Sequence, residues 1–370
     1  MCYKGKGGAE NLLDLIVRYI LDINEKIEFI LYTNSRGERY FTTRSPRITI
    51  RKYSECDNQI GKIFWHEFSL PKIAEKDNLD IFFITTGANT FPFKASFPFL
   101  VMIPDLSEYH VKFKYDRVRL FYRKKICIPL SLKRGTKIIA ISENTKKDLI
   151  EILGVPEDKI AVVHLGSNSF GINVIPASWE TLREKRGLAD LPFIFYPCRT
   201  DYIGKGLDSL LKAYKIITEN RPDFPLLLIS GAKGVGHKRF VKEILKLGLE
   251  KKVIWLGWID PSELETLYRV ATLLVFPSRY EGFGFPLTEA MERGLPVACS
   301  NKSSLPEIGA DAVAYFDPND PRDIAKSILY LIDNRNMLER MRRKGFKQVK
   351  NFTWEKTAKK ILNIFNELIV

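Results

Sequence analysis

Apolar residues fall in short blocks along this chain, spaced for an alternation of strands and helices. The blocks at 26–33, 79–84, 99–103, 137–141 and 160–163 are short and nearly unbroken. Such runs predict strands covered on both faces, as in a parallel sheet. From 169 to 192 the pattern breaks, which predicts a linker. Strand-like blocks resume at 193–196, 226–229, 253–256, 273–276 and 296–298. Between them, 206–219, 239–246 and 262–270 read as helices, and the chain is helical from 322 onward. Strand–helix alternation in both halves implies an α/β chain of two Rossmann-like, doubly wound domains. The expected boundaries are 1–170 and 171–350, with a terminal helix at 351–370 that packs back on the first half. Ligands of such sheets bind beyond the C-terminal strand ends. Two facing halves would therefore put a reaction in the cleft between them.

Composition narrows the class without changing this picture. A length of 370 residues with 45% hydrophobic content suits two domains with proper cores. No run of about 18 apolar residues exists, so no membrane-spanning helix is expected, and no signal peptide is expected either. The five cysteines are scattered and without CxxC spacing, and the four histidines form no cluster. That excludes a disulfide framework or a zinc site and predicts reduced thiols in a cytoplasm. The net charge of +14 is locally concentrated between Lys112 and Lys137, where ten basic residues face one acid, Asp116. Phe113, Tyr115, Phe121 and Tyr122 interleave with them. Two readings stay open for 112–137: a solvated helix face, or a surface for anionic lipid head groups at the inner face of a membrane. None of the usual nucleic-acid recognition motifs accompanies it, which argues against nucleic acid as a partner.

Candidate chemistry concentrates after the block at 273–276. There the chain reads Phe276-Pro-Ser-Arg-Tyr-Glu281-Gly-Phe-Gly-Phe-Pro286-Leu-Thr-Glu289, a strand, a glycine-rich turn and a helix. Pro286 suits the first helical position, where its missing N–H costs nothing. Gly282 and Gly284 let the backbone approach a ligand closely. The helix N-terminus then offers amide donors and a positive dipole end to phosphate. Glu281 lies on the turn, and Glu289, eight residues on, returns near the same face. Carboxylates are poor phosphate ligands and good acceptors for sugar and ribose hydroxyls. A second constellation follows the block at 193–196: Arg199 lies just past the strand and Lys205 precedes Gly206 at a helix start. Two fixed cations there suit a diphosphate and can stabilise charge growing on a leaving group.

The loop resembles the Glu-x7-Glu signature of the retaining family 4 glycosyltransferases, which have the GT-B fold. The resemblance extends through Ser303-Ser-Leu-Pro-Glu307-Ile-Gly, Phe352-Thr-Trp354-Glu, Ala140-Ile-Ser142-Glu, Val155-Pro-Glu-Asp-Lys-Ile and Cys198-Arg199-Thr-Asp-Tyr-Ile-Gly-Lys205-Gly206. It implies that Arg199 and Lys205 hold the nucleotide diphosphate and that Glu281 contacts the donated sugar. Glu289 would bind the ribose, and the amides of Gly282, Phe283, Gly284 and Phe285 would meet the phosphates and sugar. The turn with Trp258 and Ile259 would hold the base, a core role for Trp258 staying equally open. Gly7 and Gly8 look like the family loop that approaches the donor from the first domain. The Ser-Ser-Leu-Pro-Glu variant looks most like mannosyltransferases of surface-polysaccharide assembly. The resemblance therefore implies GDP-mannose as first donor, a UDP-sugar as second, a glycan or lipid-linked acceptor, and no metal or other cofactor.

Two departures stand against full activity. Only Met1-Cys-Tyr-Lys precedes Gly5, so the family's opening strand is expected to be missing or shortened. Pro104, before Asp105, stands where many relatives carry a cleft histidine; His110 is the nearest replacement. The alternative is therefore a catalytically impaired sugar-nucleotide-binding accessory protein. A phosphorylase or epimerase on the same fold fits less well, for want of a pyridoxal site or of cleft His and acid groups.

Overall fold

The computed structural model describes residues 8–33, 38, 41–52, 65–87, 91–111, 117–167 and 174–369. The chain divides into two compact units. One comprises Met1–Leu106, Asp116–Ser169 and Phe352–Val370; the other comprises Ser107–Tyr115 and Phe170–Asn351. Residues 1–7, where an opening strand would fall, lie outside the described residues, as does Gly7 itself.

In the first unit the strands form two parallel sheets. Among the described residues β1 (Phe29–Thr33) pairs with β2 (Ile48–Lys52) alone. β3 (Phe82–Ile84), β4 (Phe99–Ile103), β5 (Lys137–Ala140) and β6 (Ile160–Val162) form a four-stranded sheet in sequential order. All five residues of β4 are buried, as a strand flanked on both sides and covered on both faces must be. Helix Gly8–Ile23 packs along helix Trp354–Ile369, with the Tyr19 and Trp354 rings stacked at 6.4 Å. Trp354 Nε1 donates to the Ser167 carbonyl at 2.8 Å and Thr357 Oγ1 to the His164 carbonyl at 2.8 Å, so buried polar groups fix where this helix docks.

The second unit holds one six-stranded parallel sheet. Its strands are β7 (Phe193–Pro197), β8 (Leu226–Ser230), β9 (Val253–Gly257), β10 (Leu273–Phe276), β11 (Val297–Ser300) and β12 (Ala314–Phe316). The spatial order is β12-β11-β10-β7-β8-β9. From β7 the chain builds outward through β8 and β9, then returns to the other flank of β7 and builds outward again. β10 lies beside β7, with Leu273 opposite Ile194 and Leu274 opposite Phe195. The strand order reverses between these two, and a doubly wound sheet opens a crevice at the C-terminal ends of such a pair. The helices begin where local chemistry directs. Asp260 and Asp320 each precede a proline at the first helical turn, and their carboxylates accept the free amides of Ser262 and Glu263, and of Arg322.

β2 and β12 were not apparent in the apolar pattern. β2 (Ile-Thr-Ile-Arg-Lys) is an exposed edge strand with only two apolar residues, and β12 is three residues long. The helical region after 321 is three helices, Pro321–Ile332, Arg335–Gln348 and Trp354–Ile369. Asn334 starts the second by accepting the Met337 amide at 3.0 Å.

Candidate active site

The loop after β7 and the loop after β10 meet at the point where the strand order reverses. Two contacts lace them together. Arg279 N–H donates to the Gly204 carbonyl at 3.0 Å. Gly206 has φ +66°, and a Cβ there would sit 2.0 Å from the Pro277 carbonyl oxygen, so only glycine fits. Tyr196, fully buried, donates its hydroxyl to the Lys205 carbonyl at 2.5 Å and props the first loop from beneath. Cys198, the residue before Arg199, is buried, and burial pushes its thiol up to about 12. It packs as a small apolar side chain and has no nucleophilic character.

The glycine-rich turn is held from the other side by two serines. Ser303 accepts the Glu281 N–H at 2.9 Å, and the Ser304 hydroxyl faces the carbonyls of Glu281 and Phe283, each at 3.0 Å. Ser303 has φ +54°, a left-handed conformation that costs a non-glycine residue about 1–3 kcal/mol and persists where the surroundings over-determine it. Gly284 begins helix Phe285–Glu292 at φ +103°; a Cβ there would meet Leu305 Cδ2 at 2.8 Å. Phe283 is buried and its ring packs on Phe285 at 5.2 Å, so this segment presents backbone to its open side.

Lys205 Nζ lies 2.5 Å from Glu281 Oε1, and Ser278 Oγ donates to the same oxygen at 2.5 Å. Their side chains stay 25% and 16% exposed, so the pair is reachable from solvent. Arg199, at 59% side-chain exposure, pairs with Asp201 at 3.1 Å. Three of the expected residues, Arg199, Lys205 and Glu281, thus lie on two laced loops at one strand edge. A cation, a carboxylate and a helix N-terminus side by side can hold a phosphate and a hydroxylated ring at once.

Glu289 is deeper. It is 2% exposed, and Tyr268 donates its hydroxyl to Glu289 Oε2 at 2.5 Å. Arg293 donates to the Glu289 carbonyl at 2.9 Å and pairs with Glu265 at 2.5 Å. Trp258 and Ile259 follow β9, two strands from β7; Trp258 is 50% exposed, whereas Ile259 is buried. Gly8 opens helix Gly8–Ile23 in the other unit. Pro104 follows the buried strand β4. His110, on the segment that groups with the second unit, stacks on Tyr280 at 4.4 Å and 14°, beside Glu281.

Sequence reading passed over Arg279, which grips both Asp208 oxygens at 2.7 and 3.0 Å and Asn319 at 2.7 Å, tying the turn to its surroundings. It also passed over Ser303, Ser304 and Tyr268 as supports. The signal for the serines was present in their pairing ahead of Leu-Pro-Glu; nothing in the sequence points from Tyr268 to Glu289. Lysine 112 to aspartate 116 of the basic run lie outside the described residues.

Two Rossmann-like units with parallel sheets, one of them doubly wound with paired loops and a glycine-rich helix start at its switch point, define a GT-B glycosyltransferase. Residues 6–168 match the family model Glycosyltransferase Family 4, and residues 179–348 match Glycosyl transferases group 1. Escherichia coli O-antigen chain mannosyltransferase B is 34% identical over 70% of this chain and 67% of its own length. The serotype-specific mannosyltransferase WbdA of E. coli is 27% identical over 68% of this chain, which spans only 31% of it. Among solved structures, Anabaena HepE in complex with UDP-glucose superposes with a TM-score of 0.76 at 19% identity, covering 100% of this chain and 98% of that one. The chain belongs to the family 4 glycosyltransferases.

Proposed function

We propose that this protein moves a hexose, mannose first, from a nucleotide-diphospho-sugar to a glycan or lipid-linked glycan in surface-polysaccharide assembly. GDP-mannose is the first donor and a UDP-sugar the second. Support comes from the mannosyltransferase relatives and from the UDP-glucose held by the similar fold of HepE. The observation that carries the reading is the Lys205–Glu281 contact at the switch point.

In this reading Lys205 turns from Glu281 to the diphosphate as donor enters, joined by Arg199 and the amides of residues 282–285. The freed Glu281 carboxylate accepts sugar hydroxyls, and Glu289 accepts from the ribose. The acceptor oxygen attacks the anomeric carbon on the face from which the phosphate oxygen departs, and that oxygen takes the acceptor's proton. The configuration is retained, no side-chain base is needed, and fixed positive charge takes the part a metal would play. Trp258 and Ile259 meet the base.

Among the described residues no helix is long and apolar enough to cross a membrane. We place the enzyme on the cytoplasmic side, reaching a lipid-linked acceptor by reversible contact. Within the basic run, Arg117, Phe121, Lys125, Pro129 and Lys133 are all exposed, every fourth residue. Val118 and Phe121 are 79% and 62% exposed. A stripe of cations and bulky apolar groups suits an anionic interface.

Purified protein incubated with GDP-mannose, UDP-glucose and a lipid-linked or oligosaccharide acceptor tests the reading, with NMR on the product anomer. Transfer from GDP-mannose with retention is expected. Tight nucleotide-sugar binding with neither transfer nor donor hydrolysis would favour the impaired accessory protein that Pro104 suggests. Glu281→Ala is expected to lower transfer at least 100-fold without weakening binding of the free nucleotide, since it removes the sugar contacts and releases Lys205 from its ion pair.

A further inference from the structure

Glu289 is a carboxylate 2% exposed to solvent, and a buried charge is tolerated only where fixed donors face it. Tyr268 supplies such a donor from helix Pro261–Val270, 2.5 Å from Oε2. The tyrosine has little freedom. It is 1% exposed, its ring meets Phe195 edge-on at 5.4 Å, and the Arg293 guanidinium covers it at 5.3 Å. Arg293 is fixed in turn by Glu265 at 2.5 Å, and Glu265 also takes Arg269 at 2.7 Å. Arg293 reaches Glu289 through the main-chain carbonyl, at 2.9 Å. At Oε2 the carboxylate thus meets a neutral phenol.

We propose that Tyr268 is a positioning residue for Glu289, setting the carboxylate's rotamer and acceptor direction so that the site selects a ribose over a 2′-deoxyribose. This rests on the reading of Glu289 as the ribose ligand. A phenol gives one hydrogen bond to one oxygen without adding a charge. Burial, and then the adjacent Glu289 charge, holds the Tyr268 phenol well above its usual range, so it remains a donor at any working pH. The three ion-paired residues beneath act as a rigid mount, because moving the ring means breaking a buried Arg293–Glu265 contact.

Calorimetric titration of the whole protein with GDP and 2′-deoxy-GDP, and with UDP and 2′-deoxy-UDP, tests this. Wild type is expected to prefer the ribonucleotide at least tenfold. Tyr268→Phe should weaken ribonucleotide binding roughly 5- to 20-fold, leave the deoxynucleotide nearly unchanged, and raise the donor KM with little change in kcat. Glu289→Ala tests the underlying reading. If Glu289→Ala abolishes the ribose preference and Tyr268→Phe keeps it, the positioning role is overturned and the ribose reading stands. If both keep it, the ribose reading fails and the inference with it. The double variant, Tyr268→Phe with Glu289→Ala, removes the buried carboxylate together with its phenol donor and so avoids the folding risk of the single change. It should bind GDP as Glu289→Ala alone does; a further loss above about threefold means that Tyr268 acts by another route and overturns the proposal.

Discussion

The two units bury their described strands to different degrees. In the second unit β7, β8, β10 and β11 are buried almost throughout, and six strands share one sheet. In the first, β4 and β5 carry most of the strand burial, whereas β1 and β3 are half-buried and β2 is largely exposed. A two-stranded parallel sheet has little cooperative support of its own. The candidate chemistry lies on the unit whose described strands are more deeply buried, at its switch point. The proposed diphosphate site is made of loops and needs loop ends that do not drift, and a sheet paired on both sides of β7 and β10 supplies that. The stripe proposed to meet a lipid surface falls on the other unit, and that partner is larger and less exactly shaped.

The largest effect that would break this comparison is a difference in core stability. Leu274→Ala, at a fully buried position of β10, should cost about 2–5 kcal/mol, the range for leucine truncation in a packed core. Leu31→Ala in half-buried β1 should cost about 1 kcal/mol, because its side chain gives up less transfer energy and leaves a site that can collapse. Urea denaturation followed by two probes measures both. Equal losses would mean that the two-stranded sheet is as tightly held as the six-stranded one.

A smaller effect should separate the two cations of the donor loop. Lys205→Ala is expected to weaken nucleotide-diphosphate binding by about 1.5–3 kcal/mol, roughly 10- to 100-fold, since it removes a charge-assisted contact. Arg199→Ala should cost less, about 1 kcal/mol, because its side chain is 59% exposed and solvent screens it. Titration with GDP and UDP ranks them. A larger loss at Arg199 would shift the centre of the anion site away from the Lys205–Glu281 contact.

The sequence made the alternating strands and the strand–turn–helix around Glu281 legible because both are local patterns. Period, glycine and proline placement, and buried apolar runs all lie within a dozen or so residues. It did not make the partnerships legible. Lys205 and Glu281 are 76 residues apart, and Tyr268 and Glu289 are 21 apart across two elements. Arg279 reads as an ordinary loop cation until Asp208 and Asn319 are brought beside it. His110 reads as an isolated histidine, yet its segment reaches Tyr280. β2 and β12 escaped because edge strands keep polar residues and are short, so their pattern resembles a loop's.

The smallest expected effect concerns the exposed stripe of the first unit. Arg123 was one of the cations expected at the surface, but it is 5% exposed and belongs to the interior side of its helical turn. Arg117, Lys125 and Lys133 are the exposed ones, with Phe121 between the first two. Each cation near an anionic surface contributes about 1 kcal/mol, and salt weakens that within a Debye length. Sedimentation with vesicles containing anionic lipid should therefore show binding at low salt that falls as salt rises, and little binding to neutral vesicles. Changing Arg117, Lys125 and Lys133 to serine should lower the partition by roughly 100-fold, while Phe121→Ser should lower it less and by a salt-independent amount, since it removes apolar insertion. The second unit keeps its donor site in all these variants, so GDP affinity should not move. If the triple variant binds anionic vesicles as wild type does, the stripe is a solvated helix face, and the two units differ in packing and in donor chemistry alone.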